Sequence, residues 1–197
     1  QIKGINILPD EESERKMYYL TNNILRSNGY RKYEISNYSK PGKECKHNIG
    51  YWQRKEYLGF GIGAASLYKE NRYNNISDIN KYIEVLTNNI KENSINNVGN
   101  SSEVENQVNI LNSIVKNLQQ LTERDRMEEF MFLGLRMMEG VSMEKFERYF
   151  GKPYMEVYGK VQKKMEDKRF LINDNGYVKL TEFGIDLSNY VMSEFLF

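Results

Sequence analysis

Residues 170–184 read FLINDNGYVKLTEFG. Two strand-like runs flank Asn175-Gly176, a pair suited to the positive φ angles of a tight antiparallel turn, so the stretch predicts a hairpin. Thr181 follows as a cap for a last helix, with Ile185, Leu187, Tyr190, Val191 and Phe195 apolar along it. Upstream, residues 154–168 predict a helix through Val157, Val161 and Met165. Ser142 caps a shorter helix carrying Met143, Phe146, Tyr149 and Phe150, and Gly151 ends it. Thr122 and Asp125 stand in capping-box register before an apolar stripe of Met127, Phe130, Met131, Leu135 and Met138. Helices followed by a two-stranded wing predict a mostly helical, winged-helix-like domain over 121–197.

Such a domain invites comparison with DNA-binding modules. Lys152, Lys160, Lys163, Lys164, Lys168 and Arg169 lie on or beside the helix before the hairpin. Residues 121–197 nevertheless hold 12 Lys+Arg against 14 Asp+Glu, a net of −2 that argues against a phosphate-neutralising surface. A packing or docking role is favoured, and the methionine stripe is read as core.

The first half has a different character. Asp10 caps a helix expected over 10–28, with Met17, Leu20, Ile24 and Leu25 at helical spacing and Gly29 at its end. Residues 30–38 (YRKYEISNY) predict a strand, Pro41-Gly42 a turn, 56–68 (EYLGFGIGAASLY) a second strand, and 78–92 a helix. This order resembles pieces of an α/β sheet. Residues 93–120 are Asn-rich and predict a loose connection, with a helix near 103–119. Gly61-Ile62-Gly63 lacks the third glycine of a dinucleotide fingerprint and is a weak phosphate loop. Its glycines fit a strand on which a ligand or a neighbouring backbone lies close.

Composition narrows the function. Lys+Arg 28 against Asp+Glu 27 leaves a net charge of +1, which supplies no global basic field for nucleic acid or anionic membrane. The single cysteine excludes an intrachain disulfide, a zinc site of several cysteines, and an iron–sulfur cluster ligated by this chain alone. No run of apolar residues is long enough to span a membrane. The amino end reads as ordinary amphipathic sequence without a signal peptide, so a cytoplasmic location is expected.

Residues 44–52, ECKHNIGYW, hold the only cysteine (Cys45), the only histidine (His47) and the only tryptophan (Trp52) of the chain. Zinc would need more ligands than Cys45 and His47 provide. A catalytic Cys–His pair is possible on paper, but nothing identifies a substrate pocket. Heme needs less: one axial imidazole and flat walls. His47 supplies a nitrogen, Tyr51 and Trp52 supply rings, and Asn48 is placed to orient the imidazole. The plainer alternative is a histidine that serves its own loop beside a tryptophan in the core.

The residues then meet a known pattern. YEISNYSKPGKECKHNIGYW (33–52) followed by EYLGFGIGAASLY (56–68) closely resembles the middle-to-late part of the coproporphyrinogen III oxidase-like radical-SAM proteins, in particular the heme chaperone HemW family. LPDEE (8–12), GLRMMEGVS (134–142) and LTEFGIDLSNYVMSEFL (180–196) fit the same family in the same order. His47-Asn48-Ile49-Gly50-Tyr51-Trp52 matches its HNxxYW heme-binding motif. The resemblance implies heme at His47 (the iron ligand), Asn48, Tyr51 and Trp52. It implies an α/β fold: residues 1–92 as the last part of a partial TIM-like barrel, 93–120 as a connection, and 121–197 as the family's C-terminal domain. Ile62, Gly63 and Ala64 would sit near S-adenosylmethionine.

The family's CxxxCxxC motif, which holds a [4Fe–4S] cluster that cleaves S-adenosylmethionine, is absent, as is its glycine motif. The sequence therefore looks like the C-terminal half of a longer protein and, alone, unfit for radical chemistry. The implied function is heme binding and delivery to acceptor proteins, with at most peripheral membrane contact. An oxygen-independent coproporphyrinogen III oxidase is the enzymatic alternative, with Lys40, Lys43, Lys46 and Arg54 available to substrate carboxylates. A protein- or DNA-docking module is the third. Open strand edges and apolar faces predict self-association.

Overall fold

A computed structural model describes residues 8–95 and 113–197. The chain divides into two compact units, Gln1–Gln53 with Glu128–Phe197, and Arg54–Met127.

In the first unit, α1 runs Glu11–Ser27, and Asp10 accepts the Ser13 N–H at 2.8 Å as its cap. The strand expected over 30–38 is instead a small hairpin, β1 (Arg31–Lys32) against β2 (Tyr38–Ser39). The Glu34 carboxylate makes the difference. It accepts the Ser36 N–H at 3.0 Å and the Asn37 amide at 2.6 Å, which closes the chain on itself. The residues between β1 and β2 then bridge elsewhere: Ile35 N–H donates to the Arg136 carbonyl at 2.9 Å, and Met138 N–H to Tyr33 at 3.1 Å. After the Pro41-Gly42 turn comes α2, Lys46–Trp52, a helix that the loop reading of 44–52 did not anticipate.

The C-terminal region is built on local signals. Helix α4, Glu123–Gly134, opens with the expected capping box, Thr122 N–H to Asp125 at 2.8 Å and Asp125 N–H to Thr122 Oγ1 at 3.1 Å. Strand β6 (Val141–Ser142) leads into α5 (Met143–Phe150), capped by Ser142 and ended by Gly151 with φ +65°. Helix α6, Tyr154–Asp167, precedes β7 (Leu171–Asp174) and β8 (Tyr177–Leu180). Asn175 and Gly176 take φ of 51° and 83°, as the turn requires. The sheet order is β6-β8-β7, all antiparallel. Gly140 allows this sheet to form: with φ +78°, a Cβ there would stand 2.3 Å from the Val178 carbonyl oxygen.

Two expectations need correction. Helix α6 buries Tyr154, Tyr158, Gly159, Gln162 and Met165, whereas Val157 and Val161 lie only half-buried beside that face. The aromatic bodies of the tyrosines take the inner positions. The last helix is two, α7 (Glu182–Asp186) under the Thr181 cap and α8 (Ser188–Ser193), broken at Leu187. The core joins Met131, Leu135, Phe146, Tyr154, Tyr158, Met165, Val178, Val191 and Phe195, all at most 1% exposed. Ring contacts from Phe146 reach Phe130, Phe150, Tyr154 and Tyr158 at 4.8–5.7 Å between centroids.

In the second unit, β3 (Ala65–Tyr68), β4 (Asn71–Asn75) and β5 (Val115–Gln120) form an antiparallel sheet of that order. The strand expected over 56–68 is folded back, with Tyr57 bridging Leu67. Gly59 permits this, since a Cβ there would stand 2.2 Å from the Ala65 carbonyl oxygen. Helix α3 runs Ile79–Ile95, with Asp78 accepting the N–H groups of Asn80 and Lys81 at 2.9 and 3.0 Å. The helix expected near 103–119 is contradicted over Val115–Gln120, where cross-strand pairing with β4 wins. Its residues 103–112 lie outside the described residues. All strand pairings among the described residues are antiparallel, so the stretch 30–68 forms hairpins where barrel strands were expected. No described helix is long and apolar enough to cross a membrane.

Candidate functional site

The rare residues of 44–52 are gathered by α2. Cys45 is its N-terminal cap residue, exposed and with a free thiol. Ile49 N–H donates to the Cys45 carbonyl at 3.0 Å and closes the first turn. The helix ends where Gln53 N–H meets the Ile49 carbonyl and Arg54 turns to φ 55°.

A helix places residues four apart on one face, which sorts the motif into two pairs. His47 and Tyr51 form the outer pair. The exposed imidazole meets the tyrosine ring edge-on, centroids 4.6 Å apart and planes at 78°. Asn48 and Trp52 form the inner pair. Asn48 was expected to orient the imidazole; its amide instead donates to the Tyr33 hydroxyl at 3.4 Å. Trp52 was expected to offer a free flat wall. One face of its indole is covered by the Arg136 guanidinium, 4.2 Å from the ring centroid. The motif therefore has an outward face, His47 and Tyr51, and an inward face that docks it onto 33–37 and Arg136.

Glu34 and Arg136 were not singled out in the sequence. Glu34 is fully buried, and its Oε2 lies 3.6 Å from the Arg136 guanidinium. Each sits inside an apolar stretch, YEI and GLRMM, where a lone charge marks a needed partner.

The other candidates lie elsewhere. Arg54 pairs with Glu70 and keeps only 6% of its side chain exposed, so it is spent within the fold. Lys40 lies over the Tyr30 ring at 5.6 Å. Ile62 is exposed, while Gly63 N–H donates to Ile76 and the Ala64 carbonyl accepts from Asn75. The Asn75 amide also donates to the carbonyls of Gly59 and Gly61 at 3.1 and 2.8 Å, so this loop is held by its own neighbours. Among the described residues no three His, Cys, Asp or Glu side chains gather to hold a metal ion. Within 121–197, Lys164 pairs with Glu194 at 2.5 Å and Lys168 reaches the Tyr190 hydroxyl at 2.6 Å. Those cations are engaged within the fold.

The family model for the HemN C-terminal domain matches residues 121–187. The heme chaperone HemW of Lactococcus lactis is 35% identical over 196 residues, which is all of this chain and 45% of that protein. The heme chaperone HemW of Bacillus subtilis is 30% identical over 98% of this chain and 45% of its own length. The chain is HemW/HemN-like. It spans less than half the length of these curated relatives and carries the HemN C-terminal domain. The solved structure of Escherichia coli coproporphyrinogen III oxidase (HemN), a radical SAM enzyme, matches 98% of this chain and 43% of that chain. Its TM-score is 0.68 at 13% identity, a likeness of fold alone. That fold is thus shared over sequence that has diverged widely.

Proposed function

We propose that this chain is the heme-binding portion of a radical-SAM-type heme chaperone, with His47 as axial ligand to the heme iron. The observation that carries the reading is the outward face of α2. The only imidazole of the chain is exposed there, packed edge-on against Tyr51. A bound heme supplies an iron that needs one such nitrogen. The donor set fits: neutral imidazole suits iron, and the Tyr51 ring limits how the imidazole turns. Tyr51 would border the macrocycle, and Asn48 and Trp52 would fix the helix that presents it. The names of the full-span relatives support the same reading.

In this reading the parent protein would also hold a [4Fe–4S] cluster and S-adenosylmethionine. Ile62, Gly63 and Ala64 would approach the latter, and the cluster's cysteines lie outside this sequence. Residues 121–197 would be a winged-helix-like module. Its partners would be heme and heme-acceptor proteins, and its place the cytoplasm. The oxidase alternative is weakened by Arg54, which Glu70 already holds.

The test is a hemin titration by absorbance beside His47→Ala. A saturable Soret shift that weakens at least about tenfold in the variant is expected. Equal binding by both proteins would contradict the assignment.

A further inference from the structure

Three buried polar atoms without a hydrogen-bond partner meet at one junction: Glu34 Oε2, Arg136 Nε and Trp52 Nε1. Such atoms are costly, and a junction built for stability alone would be apolar. Here the guanidinium lies against the indole at 4.2 Å, with the buried carboxylate 3.6 Å from its terminal nitrogen. The carboxylate is itself fixed by Ser36 and Asn37, and the Arg136 backbone by Ile35. Arg136 is thus held from two directions and presents a charged plane to one ring. The planar shape matters, because a stacked guanidinium constrains both position and tilt of an indole, which an ammonium on a flexible stem does not.

We propose that the Glu34–Arg136 pair is the positioning element of the α2 site: it seats Trp52 and thereby sets the direction in which His47 and Tyr51 face. The proposal rests on the heme reading above for its consequence, but its structural part stands without heme. Helix α2 has seven residues and none fully buried, so the stack on Trp52 weighs heavily in its placement. Asn48 to Tyr33, at 3.4 Å, is a weak second tie. Loss of the stack would free the helix to rotate while the core of Phe146, Tyr158 and Val178 stays closed.

Trp52 is the only tryptophan, so its fluorescence reports this junction directly. The experiment compares Arg136→Met, Arg136→Lys, Glu34→Gln and His47→Ala in the whole chain. Emission maximum, acrylamide quenching, far-UV circular dichroism and hemin affinity are read for each. Arg136→Met should red-shift and expose Trp52 with unchanged circular dichroism, and weaken hemin binding about tenfold, as loss of a supporting partner does. Arg136→Lys, which keeps charge but not the plane, should recover only part of either readout, and Glu34→Gln should give the same trend more weakly. His47→Ala should weaken hemin binding and leave Trp52 emission unmoved. Unchanged emission and quenching in Arg136→Met overturns the proposal. If that variant does not fold, unchanged values in both Arg136→Lys and Glu34→Gln overturn it. Moved emission with full hemin affinity, in a chain where His47→Ala does weaken binding, overturns it too. If His47→Ala leaves hemin binding intact, the heme reading fails by itself, and the emission shift alone then decides whether Arg136 seats Trp52.

Discussion

Helices α2 and α6 belong to the same unit and are built on opposite terms. Helix α6 commits Tyr154, Tyr158, Gly159, Gln162 and Met165 to the interior. Helix α2 buries nothing fully and leaves its histidine exposed. One is held by apolar area over a whole face; the other is at most half-buried, with Trp52 under the Arg136 guanidinium and Asn48 against Tyr33. Stability and candidate chemistry reside in separate helices. Each should therefore be breakable without the other.

The largest effect should come from the core. Phe146 is fully buried among four rings, so Phe146→Ala should lower unfolding free energy by about 3–5 kcal/mol, read from urea midpoints. A loss below about 1 kcal/mol would mean that this cluster is not what closes the unit.

The next effect is in pH. Burial first, then the neighbouring Tyr158 and Glu166, push the Tyr154 phenol far above its ordinary range. A raised phenol contributes stability that is complete below the unfolded value and is lost as pH rises above it. Tyr154 should therefore cost the fold about 1.4 kcal/mol per pH unit above about pH 10. Urea unfolding at pH 8 and at pH 11 should show a smaller alkaline loss in Tyr154→Phe than in the wild-type chain. Equal losses would contradict the burial of that hydroxyl.

A smaller effect tests the caps. Thr181 Oγ1 accepts the Gly184 N–H at 2.9 Å, and Thr181→Ala should cost about 1 kcal/mol in a thermal or urea melt. At the other end of the comparison, His47→Ala should change stability by less than about 0.5 kcal/mol, since an exposed residue on α2 carries little packing. A large loss there would place His47 in the scaffold and break the division between the two helices.

What the sequence made legible follows the range of the interactions. Asp10, Ser142, Thr181 and the Thr122–Asp125 pair were readable because a cap is a contact three residues long. The hairpin at Asn175-Gly176 was readable for the same reason. The inward face of α6 was misread because tyrosine carries a hydroxyl and valine does not, although the ring body packs as core. Strand β5 was missed because its stability comes from β4, some forty residues away in sequence. The motif at 44–52 was legible as a list of rare residues, yet its shape was not. That His47 pairs with Tyr51 follows once the helix is known, but the partner of Trp52 is about a hundred residues from Glu34 and its turn. No local pattern announces Glu34 with Arg136.

The most direct test of the central claim reads hemin binding by two signals at once. Hemin is titrated into the chain and into His47→Ala, following the Soret band and the fluorescence of Trp52, five residues along the same helix. For the wild-type chain, a saturable Soret shift is expected with Trp52 quenching that ends at the same ratio. Both signals should weaken together in the variant. A Soret shift that saturates without quenching Trp52, or with equal strength in His47→Ala, would place the heme away from α2 and contradict it.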